Sequence, residues 1–577
     1  MGVPGFFSWL LKNYNANNLI LEKLQNRPDI LYIDSNCLFH PQCFKVLDIM
    51  SNEKDTTIIE NNMMDRIIKY IDYLILYVNP LKLVYVSVDG VAPMAKINQQ
   101  RKRRFRSIDD LHMKNDIKRK YNIPVNNEWS NIVITPGTEF MEILHKKLID
   151  HFQKNQKVNI IYSSYHTPGE GEHKILQYIK KINNISNTHV IYGLDADLFF
   201  LSMASQMNNI YLLRESSQFS IQKVEGDNTI DESLSYVSID NVKECYDEQI
   251  KTILIRKNDS DLNITNIKHN FCNDFIFLCY LLGNDFLPHL PSVDIKKYGL
   301  DILLDCYTDL YLKYKRLIIN IQKDDVDIDD DMFFELINMI GKLEKKYFTQ
   351  IVPEFKEKLK YRKCQTNDKY MKELWEIENM KNIIINDNIK LGNGGESYWK
   401  HRYYEHYFHT NEYQHNFVNE MCYCYLEGLK WVTNYYFKKC IDWRWQYYYS
   451  HAPFVSDIAN YMAKTNLYKK RFSFKDINFE KTEPLTPCIQ LLAVLPPSCN
   501  NVLPKSYRSL VTDVSPIIDM FPNHVSLDSI NKDFYWQCIP IIPIIDVNRL
   551  ISNTDKLKLS SDEKKRNKES SDYKFNL

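Results

Sequence analysis

Acidic side chains recur along this chain where several of them could share one charge. Asp34 ends the apolar run Ile30-Leu31-Tyr32-Ile33, and Asp89 closes the stretch Leu83 to Val88. Pro168-Gly169-Glu170-Gly171-Glu172-His173-Lys174 follows the run through Tyr162. Gly193-Leu194-Asp195-Ala196-Asp197 follows the run through Tyr192. Asp285, in Gly283-Asn284-Asp285-Phe286-Leu287-Pro288-His289, comes after an apolar helical stretch and can join them. Carboxylates packed together repel, so such a group binds either protons or cations. Oxygen-only ligands select a hard ion, Mg²⁺ or Mn²⁺. Two such ions activate a water and steady the leaving oxygen in phosphodiester cleavage. Singly, each acid is explained as a helix cap or turn residue. Caps alone do not account for four successive apolar runs that each end in carboxylates.

A cationic segment lies close by. Gln99-Gln100-Arg101-Lys102-Arg103-Arg104-Phe105-Arg106 begins ten residues after Asp89. Arg presents a planar fork suited to phosphate oxygens, and Lys adds a point charge. Alone, the run would read as a solvated helix face or a localisation signal. Beside the acids it supplies the phosphate-binding half of a site.

These residues need a scaffold. Short apolar runs at 30–33, 83–86, 158–162, 190–192 and 210–213 alternate with segments of helical spacing such as Met63–Tyr77 and Phe140–Phe152. That alternation predicts an α/β fold, a mostly parallel sheet flanked by helices, over residues 1–310. Acids at the carboxyl ends of such strands lie where open sheets bind ligands. Residues 311–392 are charged and helix-like, a linker or projecting segment. Residues 393–552 form an aromatic-rich, largely helical and irregular second region. Residues 553–577 carry few apolar groups and are expected to be disordered.

Acidic and basic residues balance at 73 each, so any nucleic-acid site is a local patch and not an overall field. No long uncharged apolar stretch is present, so no membrane partner is expected. The thirteen scattered cysteines lack a zinc spacing and point to reduced thiols inside a cell. Trp443, Trp445, Tyr447, Tyr448 and Tyr449 crowd one stretch; core packing suits the tyrosines, and a base platform suits one tryptophan. His166 and His173 neighbour the acids, but an oxygen-rich site assigns them orienting or packing roles.

With these motifs in place, the chain resembles the Xrn family of 5′→3′ exoribonucleases. The likeness runs over roughly residues 1–552. It includes Met1–Trp9, Asp34-Ser35-Asn36 with His40, Asp89–Arg106, Thr135–Phe140, Pro168–Lys174, Gly193–Asp197, Leu212–Glu215, Gly283–His289, Glu427–Trp431, Trp443–Pro453 and Leu495-Pro496-Pro497. The resemblance implies a nuclease-type α/β domain of the PIN/flap kind completed by the second region. It implies Asp34, Asp89, Glu170, Glu172, Asp195, Asp197 and Asp285 as ligands of two Mg²⁺ ions, with Mn²⁺ as substitute. It implies a 5′-phosphate pocket of Lys96, Gln100, Arg103 and Arg104, and a base stacked between His40 and either Trp443 or Trp445. Gly2 is expected near the active site. The implied substrate is single-stranded RNA bearing a 5′-monophosphate, degraded processively to nucleoside 5′-monophosphates in RNA decay. A decapping enzyme is the candidate protein partner, and the chain is expected to be a cytoplasmic monomer that forms a minimal catalytic core. Ser35, Met94 and Lys102 depart from the usual family residues, and none is an implied ligand. A flap-type DNA nuclease would share the metal chemistry but not the 99–106 segment or the second half. A non-catalytic RNA-binding protein would have lost some of the acids, and all seven are present.

Overall fold

Seven strands come early, the five expected from the apolar runs and two more, the first and the last of the series. They are β1 (Ile20–Leu21), β2 (Ile30–Asp34), β3 (Leu83–Ser87), β4 (Ile160–Ser163), β5 (His189–Tyr192), β6 (Ile210–Glu215) and β7 (Leu234–Ser238). Two ribbons stand apart, β8 (Ile319–Ile321) with β9 (Val326–Ile328) and β10 (Ser526–Asp528) with β11 (Ile539–Ile541), and β12 (Tyr573–Phe575) returns to the main sheet. The structure is a computed structural model that describes residues 9–10, 14, 19–125, 129–155, 158–215, 232–257, 270–322, 325–381, 383, 385–410, 415–464 and 471–576. Gly2 lies outside the described residues.

The main sheet has the order β1-β7-β6-β5-β2-β3-β4-β12. Its five middle strands are parallel; β7 and β12 run antiparallel to them, and β1 pairs antiparallel with β7 at the far edge. From β2 the chain builds outward through β3 to β4, then crosses to lay β5 on the other side of β2. The strand order therefore reverses between β2 and β5, and at such a point a crevice opens beyond the carboxyl ends. Every residue of β2, β3, β4 and β5 is buried. A parallel sheet covered on both faces requires this, which is why its strands read as unbroken apolar runs.

The helices of the first half are α1 (Ser35–Ile49), α2 (Thr56–Val78), α3 (Met94–Lys120), α4 (Glu139–Lys154), α5 (Gly171–Ile182), α6 (Asp197–Ala204), α7 (Ile239–Lys257), α8 (Cys272–Leu281) and α9 (Gly299–Tyr314). Those of the second are α10 (Asp330–Lys346), α11 (Val352–Lys360), α12 (Lys369–Glu378), α13 (Glu396–Phe408), α14 (His415–Phe437), α15 (Val455–Ala463), α16 (Pro487–Val494), α17 (Val547–Thr554) and α18 (Ser561–Arg566). Leu31, Ile33, Val84 and Val86 pack one sheet face against α1, α2 and α4. Tyr32, Tyr85, Ile191 and Leu212 join α5, α6, α7 and α8 on the other, and that cluster continues through α10, α14 and α15. The two halves thus share one core. Among the described residues no helix is long and apolar enough to cross a membrane.

Two expectations need correction. The segment 311–392 is not a uniform linker. Met332, Phe333, Leu336 and Ile337 of α10 are buried, and α10 packs closely on α15. Only α11 and α12 lack buried residues. The tail from 553 is ordered where described. β12 pairs with the edge of β4, Tyr573 opposite Tyr162 and Phe575 opposite Ile160. Arg566 is buried and donates to the Gly137 carbonyl at 3.0 Å. Low apolar content misled here because backbone pairing to a free sheet edge, and not a core of its own, holds this segment.

Candidate active site

The carboxyl edge of the sheet gathers the acids. Asp34 is the last residue of β2, and its Oδ2 accepts from the Cys37 thiol at 2.9 Å. Asp89, two residues past β3, accepts from the Gly171 N–H at 2.6 Å, and its own N–H donates to Asn36 Oδ1 at 3.1 Å. A Cβ at Gly171 would stand 2.6 Å from Asp34 Oδ1 and 3.3 Å from Asp89 Oδ1, so only glycine lets the three approach. Gly169 holds φ +111°, which turns the chain into α5 and brings Glu170 and Glu172 inward. Asp195 sits in the turn after β5 and is exposed, while Asp197 opens α6 and is buried. Arg214 of β6 donates to the Leu194 carbonyl and lies over the Phe199 ring at 5.5 Å, bracing that turn.

Lys96, an implied member of the phosphate pocket, reaches into the acid cluster. Its ammonium bridges Glu170 Oε1 at 2.6 Å and Asp285 Oδ2 at 2.7 Å. The first turn of α3 carries it into the acid cluster, where a buried ammonium needs carboxylates around it. Burial alone would lower its pKa, but Asp285 and Glu170 hold it well above the ordinary lysine value. In return, burial pushes the Asp285 carboxyl up and Lys96 overrides this to pull it down. Two tyrosines of α14 reach the same acids. Tyr435 donates to Glu170 Oε2 at 2.7 Å and Tyr436 to Asp197 Oδ1 at 3.2 Å.

The remaining acids carry unrelieved charge. Burial, then the Asp89 charge, raises the Asp34 carboxyl well above its usual range. Burial and Glu170 raise Asp89, and burial and Asp197 raise Glu172. Burial lifts Asp197 to about 6. Glu172 Oε2 is buried without a hydrogen-bond partner. Among the described residues no three acids are placed to hold an ion as they stand. The donor set nevertheless fits a hard divalent cation, which would relieve the mutual repulsion and satisfy the orphaned oxygen.

Beyond Lys96, the same face of α3 presents Gln100, Arg103 and Arg104, spaced four, seven and eight residues on. Arg104 Nη1 donates weakly to the Ile132 carbonyl at 3.4 Å, and its buried Nε–H has no acceptor. Burial and Arg103 bring its pKa down to about 9. Arg101 and Arg106 are structural. Arg101 is 1% exposed, lies between the Phe105 and Phe521 rings, and donates to the Ala493 carbonyl at 2.7 Å. Arg106 donates to the Trp536 carbonyl at 2.9 Å. His40 on α1 is half-buried; burial, Arg103 and Arg104 push its pKa to about 4, so the ring is neutral near pH 7. Of the two tryptophans, Trp445 is 6% exposed, stacks on Trp431 at 5.2 Å and donates to Glu427 at 2.8 Å. That ring is taken up in the core. Trp443 stays half-buried, with its carbonyl accepting from the Met94 N–H at the start of α3.

His173 stacks on the Tyr435 ring at 4.0 Å, and its Nε2 lies 2.9 Å from the Tyr435 carbonyl oxygen. His166 contacts the Lys568 carbonyl and Glu142. Both pack rather than point at the acids. Tyr435, Tyr436 and the Lys96 bridge were not anticipated from sequence. A helix so dense in tyrosine was a usable hint, because a buried hydroxyl seeks an acceptor.

Comparison with known proteins bears on this arrangement. The family described as "XRN 5′-3′ exonuclease N-terminus" matches residues 1–216, and "Xrn1 helical domain" matches 266–383 and 350–576. Human 5′-3′ exoribonuclease 1 is 30% identical over 617 residues, which covers 99% of this chain and 35% of the relative. Its Saccharomyces cerevisiae counterpart is 29% identical, covering 100% and 45%. The Drosophila melanogaster 5′-3′ exoribonuclease 2 homolog is 28% identical, covering 100% and 73%. The chain belongs to the Xrn family. It spans well under half the length of the two exoribonuclease 1 relatives.

Proposed function

We propose that this protein is a processive 5′→3′ exoribonuclease that hydrolyses single-stranded RNA with a 5′-monophosphate to nucleoside 5′-monophosphates, in the service of RNA decay. The observation that carries the reading is the meeting of two surfaces. Carboxylates from four strand ends and the Asp285 loop meet helix α3 at Lys96, and His40 feels both the Arg103 and Arg104 charges and that of Asp195. Asp34, Asp89, Glu170, Glu172, Asp195, Asp197 and Asp285 are the residues that would hold two Mg²⁺ ions, or Mn²⁺ in their place. Such ions supply an activated water and neutralise the leaving oxygen. Arg103 and Arg104 grip the terminal phosphate through charge-assisted bonds. Lys96, poised between Glu170 and Asp285, holds those carboxylates apart from bulk water and can turn its ammonium to phosphate. The neutral His40 ring and Trp443 offer stacking faces for a base, a grip without sequence preference.

The test compares RNAs with a 5′-monophosphate, 5′-triphosphate or 5′-hydroxyl end, with Mg²⁺ or with excess chelator. Only the first should be degraded rapidly, and only with metal. Asp195→Ala or Asp197→Ala should abolish cleavage and leave RNA binding largely intact. Equal degradation of 5′-hydroxyl and 5′-monophosphate RNA by the wild type would sink the phosphate pocket. Activity surviving in chelator would sink the metal chemistry.

A further inference from the structure

Helix α3 has a second cationic face. One turn beyond Gln99, whose amide reaches Asp285 at 3.5 Å, Lys102 points into a cavity of about 1410 Å³. Asp285, Gln99 and Arg103, the last shared with the phosphate face of α3, line this cavity, while His40, Trp443 and Arg104 do not. It therefore opens on the acid cluster from the side away from the stacking faces. Lys102 makes no hydrogen bond or ion pair among the described residues, and Lys532, also on the wall, feels the charge of Asp294 and comes no closer than 4.0 Å to Asp528. That carboxylate is already engaged: His451 lies 3.1 Å from Asp528 and Tyr407 donates to it at 3.2 Å. Burial lowers the pKa of Lys102 and of Lys532; burial first, and then both lysine charges, bring the pKa of His451 down to about 4 against the pull of Asp528. The imidazole is thus neutral near pH 7. Ten cationic side chains line the wall against seven carboxylates, so it is left with a net positive charge. Farther along, Phe534 and Trp536 lie nearly parallel, with Lys296 4.2 Å and 4.5 Å from their ring centres, and Trp536 is half exposed.

We propose that this cavity is a product site for a nucleoside 5′-monophosphate, with Lys102 and Lys532 binding its phosphate and the Trp536 side offering a platform for its base. The inference rests on the exoribonuclease reading and deepens it. An enzyme that keeps hold of its strand between cuts must release the cleaved nucleotide by a route the strand does not fill. Three residues of helix advance about 4.5 Å, so Lys102 stands one short step from the acids. An ammonium without a counter-ion in a desolvated wall gains most from a phosphate dianion.

Binding of adenosine 5′-monophosphate, measured by calorimetry without RNA, tests the site apart from turnover. In Arg104→Ala, where the substrate's phosphate pocket is disabled, AMP should still bind, and adenosine should bind at least about tenfold more weakly. Adding Lys102→Gln should weaken AMP by about tenfold, and Lys532→Gln should act in the same direction. In the otherwise intact enzyme, Lys102→Gln should leave the initial rate on RNA unchanged while relieving inhibition by added AMP. If Arg104→Ala alone removes all AMP binding, or neither lysine variant alters it, the product site is overturned. Should Lys102→Gln fail to fold by its melting curve, Lys532→Gln decides. A protein inert on every RNA would refute the exoribonuclease reading while the AMP measurement still reports on the cavity.

Discussion

The hydroxyl of Tyr435 is the most exposed wager at the scale of single residues. It supplies one of two hydrogen bonds that fix the Glu170 carboxylate, Lys96 supplying the other. A bond to a charged acceptor contributes about 1.5–3 kcal/mol. Tyr435→Phe keeps the ring stacked on His173 and removes only that bond. Turnover should fall roughly tenfold, the Mg²⁺ needed for half-maximal rate should rise, and the melting midpoint should move little. An unchanged Mg²⁺ titration would reduce Tyr435 to a packing residue. The two tryptophans should part company. Trp445→Ala leaves a core cavity and should cost about 3–5 kcal/mol in stability. Trp443→Ala should melt near wild type yet stall at RNA hairpins, as a time course on hairpin and unstructured substrates would show. The acids were legible in the sequence because each follows an apolar run that can only be a buried strand. Lys96 was not separable from the other cations, because its partners come from α5 and from the loop after α8. Helix phase and neighbours, absent from a string of letters, sort that basic run into a bridge, a phosphate face and two structural arginines.

Among the elements, α10 shows how one buried acid docks a helix. Glu344 is 1% exposed and accepts from Ser292 at 2.9 Å and from the Val455 N–H at 3.0 Å. Burial, only partly offset by Lys400, raises its pKa to about 7 from an ordinary 4.5. A folded pKa above the unfolded one stabilises below the unfolded value and loses that contribution as pH rises through the folded value. The docking of α10 on α15 should therefore weaken as pH climbs from about 4.5 past 7, by a few kcal/mol in order of magnitude. Glu344→Gln should flatten that slope in denaturant melts taken across this range. A variant with the wild-type slope would show that other groups set it. The five parallel strands β2 to β6 were predicted within a residue or two, since a doubly covered sheet leaves no polar alternation to blur them. The charged composition of 311–392 hid α10, because its apolar stripe is diluted by the lysines and acids of its outer face.

For the whole molecule, the decisive contacts join distant parts of the chain. β12 covers the β4 edge, with Tyr573 and Phe575 packed beside the sheet core. Deleting residues 571–576 should remove about 2–3 kcal/mol of apolar burial and bare a strand edge. A lower melting midpoint with light scattering on heating is expected, and a deletion that melts and scatters like the full chain would leave β12 without a structural role. Composition could not foretell this pairing, since backbone groups carry it and its partner lies about 410 residues earlier.

That separation has a consequence for the birth of the protein. Made at about 5–20 residues per second, the chain waits roughly 20–80 s between the emergence of β4 and of the strand that caps it. The tyrosines that steady Glu170 and Asp197 also come late, on α14. Asp285 precedes them by about 150 residues, so for roughly 8–30 s a ribosome carries a nascent chain whose acids are in place but unbraced. If its substrate is RNA, the messenger being read is spared by the order of synthesis: the residues that set the blade are made after the last of its acids.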